Sequence, residues 1–162
     1  MLIGVISDTH GDHGAIERAV TAAGTVDMWL HGGDYSQDSH YIAKVTSLPV
    51  IAVRGNCDSY TDAKVDEYID AGAVRIWLTH GNRFSPHERI ADLAWWSAQY
   101  GVQIVIYGHT HVAYNKWHNH VLIFNPGSPS RPRCGGAGSF GLLSLGTDGS
   151  INAKVIELPH RK

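Results

Sequence analysis

The sequence predicts an α/β fold, and three observations carry that prediction. Short apolar runs rich in β-branched residues alternate with stretches whose apolar residues recur at helical spacing. Five of those runs end beside polar residues, most of them flanked by glycine, and the last third of the chain switches to paired runs separated by turn signals.

Leu2 to Ile6 is a continuous apolar run, the mark of a strand covered on both faces, and it ends in Ser7-Asp8-Thr9-His10. From Asp12 the spacing changes: Ile16, Ala19, Val20 and Ala23 form a helical stripe, with Asp12 placed to cap it and Gly24 to stop it. Met28-Trp29-Leu30 reads as the second strand and runs into His31-Gly32-Gly33-Asp34, where paired glycines let the backbone approach a neighbour closely. A short, weak helix is expected around Ser39 to Val45. Pro49 then opens a third strand, Val50 to Val53, that ends in Arg54-Gly55-Asn56-Cys57-Asp58. Val65 to Leu78 reads as a hairpin turning at Asp70-Ala71-Gly72-Ala73, with Val74, Ile76 and Leu78 facing inward and Thr79-His80-Gly81 delivered at its end. Ser85-Pro86-His87-Glu88 predicts a helix start, with Ser85 as N-cap, Pro86 at the first position and Glu88 closing a capping box. Ile90, Leu93 and Ala94 carry its buried stripe toward Gly101. Val102 to Ile106 forms the strand that leads into Gly108-His109-Thr110-His111. Beyond it, Val112 to His118 pairs with Val121 to Phe124, and Asn125-Pro126-Gly127-Ser128 makes a tight loop. Leu142 to Leu145 and Ala153 to Leu158 close the chain as a hairpin about Thr147-Asp148-Gly149-Ser150.

At 162 residues the chain is sized for one domain, 1–162, and it needs neither a disulfide nor a structural metal to fold. A net charge of −2 lacks the basic footprint of a nucleic-acid binder, so a small-molecule partner is expected. Histidine, with 11 residues, is in excess, and it is the commonest metal ligand. Cys57 and Cys134 are too few for a disulfide scaffold and read as free thiols in a reducing compartment, a bridge between them being the lesser alternative. There is no basic leader and no apolar run long enough to cross a bilayer, so no membrane is involved and the expected location is cytoplasmic.

In extended backbone, residues i and i+2 point to the same side, so His109 and His111 are expected to face one way, as are Asp8 and His10. Taken singly, each polar strand end reads as an ordinary turn former or a hydrogen-bonded strand-end residue. Together, Asp8 with His10, Asp34, Asn56, His80, and His109 with His111 stand beyond the carboxyl ends of five strands, where open α/β sheets bind ligands. If those strands share one sheet, all these side chains meet. The nitrogen and oxygen donors then exceed what one ion takes, so two ions are expected, with a carboxylate serving both. Ions paired at about 3.5–4 Å suit in-line displacement at phosphorus, one activating water while both stabilise charge on the phosphoryl oxygens. Two divalent ions against two aspartates and a hydroxide leave a small positive excess, which matches a monoanionic phosphodiester.

Asp8-x-His10, Gly33-Asp34, Gly55-Asn56, His80-Gly81 and Gly108-His109-x-His111, in that order, resemble the five signature blocks of the calcineurin-like metallophosphoesterases. The chain is most similar to the small YfcE-type bacterial and archaeal phosphodiesterases, whose fold the retromer subunit Vps29 shares. The resemblance implies a four-layer α/β/β/α sandwich, two facing mixed β-sheets flanked by helices, and hydrolysis of small phosphodiesters. It implies that Asp8, His10 and His111 hold one metal and Asn56, His80 and His109 the other, with Asp34 bridging. Manganese is the activating ion it implies; iron, nickel or zinc also suit imidazole with oxygen ligands. The alternative it carries is a non-catalytic Vps29-like scaffold with a degraded metal site, against which stands the intact set of ligand positions.

Asn56, Cys57 and His109 are the candidate catalytic residues. Where many members of the wider family carry a histidine after the asparagine, giving a proton to the leaving group or touching phosphate, this chain has Cys57, a weaker acid near neutrality. Cys57 reads equally as a general acid or a buried small hydrophobe, and His13, Asp58 and metal-held solvent stay open for the acid's role. Among the remaining residues, His31 is expected to pack rather than to hydrogen-bond behind the site. His40 and His87 read as exposed helix-start residues, and His118, His120 and His160 as turn or tail. Arg54, Arg131 and Arg133 read as surface ion pairs in preference to phosphate contacts. Trp95 and Trp96 cannot both face the core, which leaves one for a homo-oligomer surface or an exposed patch.

Overall fold

The structure, a computed structural model, describes residues 1–133 and 135–159, so Cys134 and His160 lie outside the described residues. In chain order the elements are β1 (Leu2–Ile6), α1 (His13–Ala23), β2 (Met28–His31), α2 (Asp38–Thr46), β3 (Val50–Ala52), β4 (Asp66–Ala71), β5 (Val74–Thr79), α3 (Arg89–Tyr100), β6 (Ile104–Ile106), β7 (Tyr114–His118), β8 (Val121–Asn125), β9 (Ser139–Leu145) and β10 (Ile151–Glu157). They form two five-stranded sheets, ordered β10-β9-β1-β2-β3 and β4-β5-β6-β8-β7. Both are mixed. In the first, β1, β2 and β3 are parallel, β9 runs antiparallel to β1, and β10 pairs antiparallel with β9; in the second, β5, β6 and β8 are parallel and β4 and β7 form antiparallel edges.

The five donor-bearing strands therefore do not share one sheet: β1, β2 and β3 belong to the first, β5 and β6 to the second. The reason lies in β1, which is apolar on both faces. Ile6, with Trp29, packs beneath α1 and α2 through Ile16, Ala19 and Ile42. Ile3 and Val5 point the other way, where only another sheet is left to cover them, and they meet Ile76, Leu78, Ile104, Ile106 and Phe124. The outer face of that second sheet, Trp77, Val105 and Ile123, is covered by α3 through Leu93. The result is the four-layer α/β/β/α sandwich. Gly141 in β9 sits where a Cβ would lie 2.4 Å from the Phe124 ring, so its bare backbone lets the facing sheets interdigitate.

Local signals place most elements. The Asp12 carboxylate accepts from the Ala15 N–H at 2.9 Å to cap α1, and Gly24 ends it at φ 66°. The α3 start differs from expectation. Regular helix begins at Arg89, Glu88 makes no side-chain cap bond, and Ser85 contributes through its carbonyl, which accepts from the Glu88 and Arg89 N–H groups at 3.1 and 2.8 Å. The buried Arg89 sets this boundary, since its guanidinium donates back to the Gly81 carbonyl at 3.1 Å and to that of Phe84 at 3.3 Å. Trp95 and Trp96 are both exposed, because Leu93 and Ser97 take the inward positions and Trp96 stacks on Tyr100 instead. Among the described residues no helix is long and apolar enough to cross a membrane.

Candidate metal centre

The carboxyl ends of both sheets meet at one edge, and the loops there are tight reversals. Asp8, His10, Asp34, Tyr35, His109 and His111 all have φ between 48° and 67°. They are left-handed rather than extended, which corrects the expectation that strand geometry aims each i, i+2 pair the same way. Each such L-residue costs about 1–2 kcal/mol, strain that persists only where surrounding bonds enforce it. The reversal sends the two histidines of the Gly108 loop apart. The His111 ring meets His10, centroids 5.0 Å apart, and the His109 ring meets His80 edge-on at 5.2 Å.

Asp8, His10, Asp34 and His111 each offer a ligand atom within 4.8 Å of all the others. Asp8 is fully buried; it accepts the Ser7 hydroxyl at 2.6 Å and the His109 N–H on both oxygens at 3.2 and 3.0 Å. Its own carbonyl accepts the hydroxyls of Ser128 and Ser130 at 2.8 and 3.1 Å. His111 Nδ1 lies 2.7 Å from the Arg131 carbonyl, which can only accept, so Nδ1 carries a proton. The other nitrogen, Nε2, faces His10 Nε2 and Asp8 Oδ1, each at 3.3 Å. That gap suits a proton or a cation. Burial pushes the Asp8 carboxyl up, but the bond to His111, the charge of His80 and the Ser7 hydroxyl outweigh it and hold the group below its ordinary range. His111 is raised, chiefly by its bond to Asp8, whereas burial and then the Arg131 charge lower His10 toward the neutral, ligand form.

A second set of donors lies beside the first, joined by pairwise contacts. His80 is buried, its Nδ1 donates to the Gly32 carbonyl at 2.7 Å, and its Nε2 faces Asn56 Oδ1 at 3.2 Å and Asp34 Oδ1 at 3.3 Å. Burial first, then the charges of His80 and Arg89, lower His109. Asp34 stands between the groups, with Oδ1 toward His80 and Oδ2 3.9 Å from His10 Nε2. Nitrogen and oxygen donors converging from Asp8, His10, Asp34 and His111, with the far nitrogens of His111 and of the neighbouring His80 pinned by carbonyls, are a donor set that fits divalent metal. Two glycines are sterically required here. A Cβ at Gly55 would lie 2.2 Å from Asp34 Oδ1, and one at Gly108 2.0 Å from Ser7 Oγ.

Of the seven sequence-predicted ligand residues, Asp8, His10, Asp34 and His111 converge on one another, while His80 lies beside Asp34 with Asn56 and His109 against it, and the other candidates sort themselves. Cys57 is an exposed free thiol, so its reading as a buried hydrophobe is overturned; partial desolvation beside Asp34 and the hydrogen bond to that carboxylate push it up to about 11. Asp58 is committed elsewhere: its oxygens accept the Ser36 N–H at 2.7 Å and the Gly55 N–H at 2.8 Å, clamping the Asp34 loop to the Asn56 loop. His13 stacks on Tyr41, rings 3.8 Å apart, with Nε2 3.6 Å from Asp38. His31 does more than pack. It accepts the Gly33 N–H at 3.2 Å and meets the Thr9 hydroxyl at 2.9 Å, which in turn donates to Asp38, so a buried chain of bonds ties the Asp8–His10 loop to the Asp34 loop. Among the described residues Arg54, Arg131 and Arg133 make no ion pair, contrary to expectation; the charge of Arg131 is felt at His10 and that of Arg133 at His111. His40, His87 and His120 are exposed, and His118, ending β7, bonds the Tyr114 hydroxyl at 2.7 Å. Ser7, Ser128, Arg89 and the carbonyls of Gly32 and Arg131 are the supporting groups that sequence reading missed. A backbone carbonyl has no residue signature by which to find it.

The chain is similar to several known proteins. The Calcineurin-like phosphoesterase superfamily domain matches residues 1–148. The probable metallophosphoesterase MJ0623 of Methanocaldococcus jannaschii is 33% identical over 162 residues, covering 98% of this chain and 82% of that protein. The phosphodiesterase YfcE of Escherichia coli is 32% identical, covering 85% and 84%. Among solved structures, a predicted phosphoesterase from Streptococcus pneumoniae superimposes with a TM-score of 0.76 at 26% identity over 96% of this chain and 97% of that one. Zinc-complexed Vps29 from Entamoeba histolytica shares the fold, with a TM-score of 0.73 at 24% identity over 97% and 99%.

Proposed function

The chain belongs to the calcineurin-like phosphoesterase superfamily, and from that membership and the geometry of its loops we propose that this metal-dependent phosphoesterase is a dinuclear hydrolase of small phosphodiesters. Asp8, His10 and His111 would hold one divalent ion and Asn56, His80 and His109 the other, with Asp34 shared. The observation that carries the reading is the placement of Asp34, one carboxylate oxygen facing each donor group.

Bound there, such a pair supplies Lewis-acid charge for the phosphoryl oxygens and an acidified water for in-line attack at phosphorus. The chain's own residues do the positioning. The carbonyls of Gly32 and Arg131 hold the Nδ1 protons of His80 and His111, so each ring presents Nε2 inward. Ser7 and the His109 N–H fix the Asp8 carboxylate, and Asp58 keeps Asn56 within reach of His80. Arg131 and Arg133 add positive charge where an anionic substrate approaches. Imidazole mixed with carboxylate and amide oxygen suits manganese, and also iron, nickel or zinc.

Support for a diester comes from the charge balance of two ions against two aspartates, and from the phosphodiesterase YfcE among the relatives. Residues 1–162 act as one cytoplasmic domain in this reading. A Vps29-like scaffold shares the fold, but the convergence of Asp8, His10, Asp34 and His111 favours the enzyme. The test is to strip the protein with chelator, reconstitute it with manganese, and measure both metal content and turnover of bis(4-nitrophenyl) phosphate. About two ions per chain with metal-dependent turnover is expected. Full activity at one ion per chain would overturn the dinuclear centre, and metal uptake without turnover would favour the scaffold.

A further inference from the structure

Tyr35 directly follows Asp34, and the reading above gives it no part. Its backbone is left-handed, with φ 62° beside 58° at Asp34. A bulky side chain in that region is an outlier that glycine or asparagine would relieve. The backbone is held there from below, since the Tyr35 carbonyl accepts the Asp38 N–H at 2.8 Å at the entrance to α2. The side chain gains little in return from the fold. It is 37% exposed, and among the described residues its phenol has no hydrogen-bond partner.

What the ring does touch is the donor cluster. Its centroid lies 5.4 Å from that of His10, inclined by 59°, and it rests over bare backbone at Gly11, where a Cβ would stand 3.5 Å from Cδ1 and Cε1. A strained backbone thus holds an aromatic ring at the rim of the metal centre with part of its surface in water. Strain kept without structural return points to a functional use.

We propose that Tyr35 is a specificity-determining residue whose ring stacks a planar group, aryl or nucleobase, on one ester arm of the phosphodiester. The inference rests on the phosphoesterase reading of the donor cluster. An arm leaving a phosphorus bound beside His10 has this ring as its aromatic neighbour, and aromatic pairs attract at centroid separations of about 4.5–7 Å beyond what apolar area alone contributes. The hydroxyl is not required, so phenylalanine should serve as well, whereas leucine of similar bulk should not.

The test is calorimetric binding of phenylphosphonate and methylphosphonate to manganese-reconstituted protein, with metal content measured in each variant and the methylphosphonate affinity as internal reference. The wild type should prefer phenylphosphonate by about two- to tenfold. Tyr35→Phe should keep that ratio, and Tyr35→Leu should bring it near one at undiminished metal content. A wild-type ratio near one, or a ratio preserved in Tyr35→Leu, overturns the stacking role while methylphosphonate binding leaves the metal centre standing. A ratio lost in Tyr35→Phe as well overturns it in favour of the hydroxyl, and metal lost from Tyr35→Leu makes the ring a support for His10. Absence of manganese-dependent binding of either phosphonate overturns the metal-centre reading and this inference with it.

Discussion

Asp8 is held from behind by several neighbours, whereas Asn56 is carried on a loop that reaches the site from the edge of its sheet. Asp8 follows β1, the central strand of the first sheet, and is fully buried; its neighbours Ser7, Ser128 and the His109 N–H leave it no freedom. Asn56 follows β3, the edge strand, and is exposed, tied to His80 at 3.2 Å and steadied by Asp58 two residues on. In the dinuclear reading Asp8 therefore belongs to a preformed cage and Asn56 to an adjustable one. In that reading the ion at the Asn56 side should exchange more readily, because an exposed asparagine is the donor most easily displaced.

Removing the group common to both sides should do the most damage. Asp34→Asn takes charge from both cages, so turnover should fall by more than about 100-fold, beyond the 10- to 100-fold typical of supporting residues, with both ions lost on metal analysis. Near-normal turnover with metal retained would show that another carboxylate joins the two halves.

Asn56→Ala should cost about 10- to 100-fold and leave about one tightly held ion per chain. Equal loss of both ions would erase the distinction between the cages.

Asp58→Ala and Ser128→Ala sharpen the contrast by loosening one side at a time. The first strands the Ser36 and Gly55 N–H groups, which costs about 1–3 kcal/mol each if water does not reach them, readable by urea unfolding. It should weaken manganese binding about tenfold at the exchangeable site only; Ser128→Ala should weaken the other.

Cys57→His should have the smallest effect, a severalfold rise in the rate on alkyl esters relative to aryl ones, since an aryl oxide departs without a proton and an alkoxide needs one. Because the side chain is exposed, water shares the protonation and keeps the gain well below the full value of a sheltered acid. An unchanged ratio in a fully metallated variant would mean that position 57 faces away from the leaving group.

Much of this asymmetry was beyond local reading. Asp8 and Asn56 look alike in the chain, each a polar residue after an apolar run, and only the strand order makes one central and the other peripheral. The residue types of the site, by contrast, were plain: seven candidate donors in five short blocks, with Gly55 and Gly108 beside them because a Cβ there would strike Asp34 or Ser7.

What the sequence by itself determined is what neighbours a few residues apart can enforce. The continuous apolar run of β1, the Asp12 cap, the inward Val74, Ile76 and Leu78, and the choice of candidate donors all follow from side-chain chemistry and period. Tertiary structure alone decided the rest: that two sheets rather than one bring the donors together, that His109 and His111 turn apart through left-handed backbone, that Cys57 stays in solvent, and that Arg89 rather than Ser85 sets the start of α3. These depend on contacts between distant segments, such as β1 beside β9 or the Arg131 carbonyl behind His111. Every residue but proline carries the same backbone donor and acceptor, so local pattern cannot name the partner each will find.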